Sequence, residues 1–210
     1  MNQDLKARVS AWLQQHRGDI VRDIFTLSRI PSVKGAPAPG APFGKACRDA
    51  LDEAVALCGR RGFDAAVNRD GSYALMHYGD GEKSIGIFGH LDVVPAKDEL
   101  FAPRIENGRI YARGALDMKS PVAVNLAALA YAMNKPVRFG VLLTTDEETT
   151  SNGIKALVKN ENITPRIVLD TDAGDLFTLC DKAKHPVSVR IAAAGESAQE
   201  ELVVPEGPGE

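Results

Sequence analysis

The chain has 210 residues, of which 44% are hydrophobic and 25% charged, with a net charge of −3 and a pI of about 5.9. That length supports one core, or one core with a small appendage. The charge balance excludes the clustered basic footprint of a nucleic-acid binder, and no apolar run approaches the roughly 18 residues of a membrane helix.

In chain order, Leu5 to about Leu27 reads as an amphipathic helix, with Val9, Trp12, Leu13, Ile20, Val21, Ile24 and Phe25 at three- and four-residue steps. Ile30-Pro31 ends it, because the residue before proline is pushed out of the helical region. The Pro-, Gly- and Ala-rich run Ser32 to Gly44 reads as a loop. A second helix is predicted from about Lys45 to Arg61, with Gly62 as its C-terminal cap. Strands are predicted at Tyr73–Tyr78, Ser84–Phe88, Arg138–Thr144 and Arg166–Leu169. SIGIF, RFGVLL and RIVL are nearly continuous apolar runs, as expected for strands covered on both faces. Pro121 to about Met133 reads as a helix with Ser120 as its cap and Pro121 at its first position. Thr150 to about Asn160 reads as another. The alternation predicts an α/β domain, a three-layer sandwich with a mostly parallel sheet. Ala183 to Ala194 resembles one further strand. The acidic run that follows, ESAQEELVVPEGPGE, lacks periodicity and reads as a frayed tail. Two parts are expected: residues 1–182, and residues 183–210 with the disordered tail.

The N-terminus lacks the apolar region of a secretory signal. Three widely spaced cysteines, Cys47, Cys58 and Cys180, argue against a disulfide framework or a structural zinc site. A cytoplasmic location is expected.

Four motifs carry chemistry: GHLDVVP (Gly89–Pro95), ARGALDMKSP (Ala112–Pro121), TTDEETTS (Thr144–Ser151) and LDTDAGD (Leu169–Asp175). Each follows a predicted strand or turns into a helix, and ligands of open α/β sheets bind at strand carboxyl ends. His90 has Asp92 two positions on, the spacing of an imidazole whose second N–H is held by a carboxylate. Asp117 precedes a helix already capped by Ser120, so capping does not explain it; its two oxygens suit bridging two cations. Glu147 and Glu148 are adjacent acids, of which one readily faces an ion, leaving the other as a general base. Asp172 adds a carboxylate, with Asp170 as the alternative. Each alone has a plainer reading: a hydrogen-bonded histidine, a helix-terminal aspartate, a solvated acidic run, turn aspartates. Their occurrence together at consecutive strand ends argues for a metal site. The mixed His/carboxylate set suits catalytic zinc, with Co2+ or Mn2+ also accommodated.

GHLDVVP, RGALDMKSP, TDEET and the later Asp resemble the zinc metallopeptidase family of aminoacylase, acetylornithine deacetylase and carboxypeptidase G. Ile30–Val33 (IPSV), Pro42–Gly44 (PFG) and Gly62-Phe63 are most similar to its bacterial dipeptidase V branch. The resemblance covers about Ile30 to Asp175. It implies two zinc ions, His90 and Asp172 as ligands of the first, Asp117 as the bridge and Glu148 as ligand of the second. It implies further that Asp92 orients His90 and that Glu147 is the general base. A metal-bridging hydroxide would then hydrolyse the amide bond of a dipeptide or short peptide. Ser120 stands where the family has glycine.

Family members are about twice this length, insert a lid or dimerisation domain, and supply a final metal-binding histidine after it. The histidines here are His16, His77, His90 and His185, and Gln199 stands where the lid has a histidine. The expectation is a truncated catalytic domain with the start of a lid, and impaired activity. Two alternatives stay open: an N-acyl amino acid deacylase, and an inactive fragment acting as a metal-binding or interaction module. The expected partners are a small peptide substrate and either a homodimer mate or a complementing fragment, with neither nucleic acid nor membrane.

Overall fold

The computed structural model describes residues 3–79, 85–133, 139–161, 167–172, 187–193 and 196–202. The chain divides into two units, residues 1–173 and 174–210.

The first unit is built on a five-stranded sheet in the order β1-β2-β6-β3-β7, formed by β1 (Asp64–Val67), β2 (Tyr73–Tyr78), β3 (Ile85–His90), β6 (Phe139–Thr144) and β7 (Ile167–Asp170). β3 runs parallel to both β6 and β7, whereas β1 with β2 and β2 with β6 are antiparallel. The α/β class expected from the sequence is therefore the class observed, with a mixed sheet whose parallel part is β6-β3-β7. The predicted starts Ser84, Arg138 and Arg166 lie outside the described residues.

Helices α1 (Gln3–Ser28), α2 (Lys45–Arg60) and α3 (Ser120–Ala132) share one core with one face of this sheet. The periodic positions do the work: Ile20, Ile24 and Leu27 of α1, Ala50, Leu51, Ala54 and Leu57 of α2, and Val122, Ala123 and Leu126 of α3 are buried against Ala74, Met76, Ile87, Val141 and Leu143. Alternate strand residues point to opposite faces. Leu75, Phe88 and Leu142 therefore line the other face, where α4 (Asn152–Asn160) packs and a groove of about 440 Å³ opens. Gly62 adopts φ +83 just after α2, as a helix-ending glycine should.

Three local features differ from the sequence reading. Ser120 is not a cap: it is the first residue of α3, no side chain caps that helix, and the chain enters it directly from a π-type turn, Ala115–Lys119. β1 was missed because four residues with only partial burial carry too little pattern to register. A hairpin, β4 (Arg104–Glu106) with β5 (Arg109–Tyr111), was also missed. Its signal was present: Asn107-Gly108 supplies positive φ at both central positions (49° and 75°), as a two-residue hairpin turn of this hand requires.

In the second unit, β8 (Val187–Ala193) pairs with β9 (Glu196–Leu202) as an antiparallel hairpin, with Val187 opposite Leu202 and Ala193 opposite Glu196. The sequence reading had only a tail after Ala194. Pairing with a neighbour overrides weak intrinsic strand preference, which is why a Glu-rich segment can be a strand without showing alternation. Asp175, Cys180, His185 and residues 203–210 lie outside the described residues.

Candidate metal centre

The parallel register explains how four motifs meet. His90 ends β3 level with Thr144 at the end of β6, and Phe88 lies level with Asp170 at the end of β7. The turns leaving these three strands therefore emerge side by side, at the carboxyl edge where α/β sheets bind ligands. Asp92 lies in the first turn, Glu147 and Glu148 in the second, Asp172 in the third, and Asp117 arrives from the turn before α3.

His90 is fully buried. Its Nδ1 lies 3.1 Å from the Asp92 carbonyl oxygen and 3.3 Å from Asp92 Oδ1. Both are acceptors, so Nδ1 carries a proton and donates it. Nε2 faces three carboxylates: Asp117 Oδ1 at 3.1 Å, Asp172 Oδ2 at 3.5 Å and Glu147 Oε2 at 3.7 Å. Two sets offer ligand atoms all within 4.8 Å of one another, His90–Asp117–Glu148 and His90–Glu147–Asp172. Among the described residues His90 is the one histidine in either set, and His16 and His77 belong to neither.

The electrostatics favour a cation here. Burial disfavours the charged imidazole, but Asp92, Asp172 and Glu147 outweigh it and carry His90 up to about 9. Burial raises Asp172 to about 6, with the neighbouring Asp117 and Asp170 adding to the rise against His90. Glu147 and Glu148 are also raised, by burial first and by neighbouring carboxylates. Like charges this close resist joint ionisation. One imidazole facing four crowded carboxylates is the donor set of a divalent-cation site, so the residues present fit a metal.

Asp92, 1% exposed, does more than touch His90. Its carboxylate accepts the backbone N–H of Glu147 (3.2 Å) and of Glu148 (3.0 Å). One buried side chain thus sets both the imidazole and the turn that carries two acids. Between the two candidates after β7, Asp172 is the one beside His90, and Asp170 Oδ1 accepts the Asp172 N–H at 3.0 Å.

Sequence reasoning missed several supporting residues. Asp146 is fully buried and gathers the start of α4, accepting from Asn152 N (2.7 Å), Gly153 N (2.9 Å) and the Thr150 hydroxyl (2.7 Å). An aspartate four residues before a predicted helix is a weak clue to that role. Ser32 and Lys119, both buried, lie in the quoted IPSV and DMKSP motifs, whose pattern assigns neither a task. Burial lowers the Lys119 ammonium to about 8. Cys47 is pushed up to about 12, first by burial and then by Asp92, so it stays a thiol and is no nucleophile.

The parallel strands β6-β3-β7 of this mixed sheet gather one imidazole and several carboxylates at their carboxyl ends, a donor set that fits a divalent cation. The model of peptidase family M20/M25/M40 matches residues 86–198. The chain belongs to this family. It is 36% identical over 196 residues to the putative dipeptidase YtjP of Bacillus subtilis, covering 89% of this chain and 42% of that protein. It is 37% identical over 142 residues to the Beta-Ala-Xaa dipeptidase of Lactobacillus delbrueckii subsp. lactis, covering 63% of this chain and 30% of that protein. Among solved structures it is similar in fold to human carnosine dipeptidase 1, with a TM-score of 0.67 and 20% identity over 88% of this chain and 43% of that one. The chain spans less than half the length of these relatives. Among the described residues no helix is long and apolar enough to cross a membrane.

Proposed function

We propose that this chain carries the metal-holding and proton-transferring part of a zinc-dependent hydrolase that cleaves the amide bond of dipeptides or short peptides. The reading rests on one observation: His90, Asp117, Glu147, Glu148 and Asp172 converge within ligand distance in a chain whose relatives include dipeptidases. In this reading His90, Asp117, Asp172 and Glu148 hold the metal. Bound there, zinc supplies Lewis-acid polarisation of the scissile carbonyl and eases deprotonation of water.

The chain's own groups do the rest. Glu147, about one-third exposed and raised by burial, takes a proton from the attacking water onto a carboxylate oxygen. The water oxygen bonds to the carbonyl carbon, the C–N bond breaks, and Glu147 returns the proton to the departing amine nitrogen. Asp92 keeps the His90 tautomer with Nε2 toward the site and holds Glu147 by its backbone N–H.

The test is turnover of a panel of dipeptides and N-acyl amino acids by the purified chain, with zinc and with chelator. Slow, zinc-dependent cleavage of dipeptides is expected, falling at least about 100-fold in Glu147→Gln. Preference for N-acyl amino acids would move the reading to a deacylase. Turnover that ignores both zinc and Glu147, or none on any substrate, would overturn it.

A further inference from the structure

The metal-centre turns are not held by the sheet alone. The segment Ile30–Val33, at the junction of α1 and the Pro/Gly-rich loop, is hydrogen-bonded to two of them. The Ser32 hydroxyl donates to the Leu91 carbonyl, and the Ser32 carbonyl accepts the Val93 N–H at 3.1 Å. These two bonds bracket Asp92 on either side. The Cys47 thiol also reaches the Ser32 carbonyl, at 3.6 Å. At the strap's other end, Lys119 Nζ donates to the Ile30 carbonyl at 2.8 Å. Lys119 belongs to the same short turn as Asp117, closed by Lys119 N to Gly114 O at 2.9 Å.

We infer that Ile30–Ser32 is a positioning strap, clasped by Lys119 and by the Ser32 hydroxyl, that fixes the His90–Asp92 turn relative to the Asp117 turn and so sets metal affinity. The physical case is burial. Ser32, Leu91, Met118 and Lys119 are all 0% exposed. An ammonium kept from water costs free energy unless hydrogen-bonded, so Lys119 has a strong tie to the Ile30 carbonyl and little freedom to leave it. Side chains argued to hold a metal sit on both turns: His90 on one, Asp117 two residues from Lys119 on the other. Their separation, 3.1 Å between His90 Nε2 and Asp117 Oδ1, is then held by three strap hydrogen bonds as well as by the sheet. Neither Ser32 nor Lys119 is a catalytic residue; each acts through the ligands.

The inference rests on the metal-centre reading, and its test separates the two. Bind Co2+ to the full chain and to Lys119→Met, Ser32→Ala and Leu57→Ala, reading affinity by chelator competition, ligand geometry by the visible Co2+ absorption, and folding by thermal melting. Loss of a supporting hydrogen bond around metal ligands weakens affinity by about 10- to 100-fold. That loss, with an altered Co2+ spectrum, is expected for Lys119→Met and Ser32→Ala. Leu57→Ala, a core truncation in α2 outside the strap, should melt earlier yet keep parental affinity and spectrum. Should Lys119→Met fail to fold, Ser32→Ala, which removes one hydroxyl, decides. Parental affinity and spectrum in the folded strap variants would overturn the strap alone. Failure of the parent chain to bind Co2+ would overturn the strap and the metal centre together.

Discussion

Replacing Asp92 by asparagine removes a charge while leaving the side-chain shape almost unchanged. The carboxylate serves three donors: His90 Nδ1 (3.3 Å), Glu147 N (3.2 Å) and Glu148 N (3.0 Å). An amide has one accepting oxygen, so its NH2 must face at least one of those N–H groups. A hydrogen bond to a charged acceptor contributes about 1.5–3 kcal/mol, and a stranded buried donor costs about 1–3 kcal/mol. With Asp92 1% exposed, water does not relieve the conflict. The net cost should be about 2–4 kcal/mol. At roughly 2–4 °C per kcal/mol for a chain of this size, the melting temperature should fall by about 4–16 °C. Metal affinity should fall about 10- to 100-fold, because the imidazole loses its orientation and the Glu147–Glu148 turn its anchor. Thermal melting by circular dichroism and zinc titration against a competing chelator measure the two effects. A variant with parental affinity and an unchanged melting temperature would refute the dual role assigned to Asp92.

In the metal-free chain, His90 is raised from 6.5 to about 9 and Asp172 from 3.8 to about 6. Both folded values exceed the unfolded ones, so each contribution is full below its unfolded value and lost as pH rises through the folded one. Melting in chelator should show stability falling between about pH 4 and 8, below the range in which Lys119, lowered to about 8, opposes the trend, and a rise over that interval would contradict the assignment. By the same shift, zinc binding near pH 7.5 should displace a proton from His90, making the calorimetric enthalpy depend on buffer ionisation heat; identical enthalpies in phosphate and Tris would count against it. Gly89→Ala should destabilise by about 1–3 kcal/mol, since overpacking a core forces shifts, and a Cβ there would lie 2.7 Å from Val122 Cγ2. A denaturant midpoint equal to the parent's would refute that packing. Asp146→Ala should cost about 1–2 kcal/mol or more by releasing the start of α4, read as lost amide-exchange protection at Asn152 and Gly153.

What was legible in the sequence was local in origin. The apolar periods of α1, α2 and α3 and the runs of β2, β3, β6 and β7 follow from backbone geometry repeating every 3.6 or 2 residues. The motif residues could be read as a metal set because they sit where those patterns stop, and in parallel strands stopping points lie on one edge. Short elements with half-buried faces, such as β1 and the Asn107-Gly108 hairpin, left too faint a trace, and the strand Glu196–Leu202 owes its conformation to a neighbour. Only the tertiary structure decided which residues support the site. Ser32 reaches Leu91 across 59 positions and Lys119 reaches Ile30 across 89. Such bonds have no period and no spacing, because what creates them is the burial of polar groups that packing brings together.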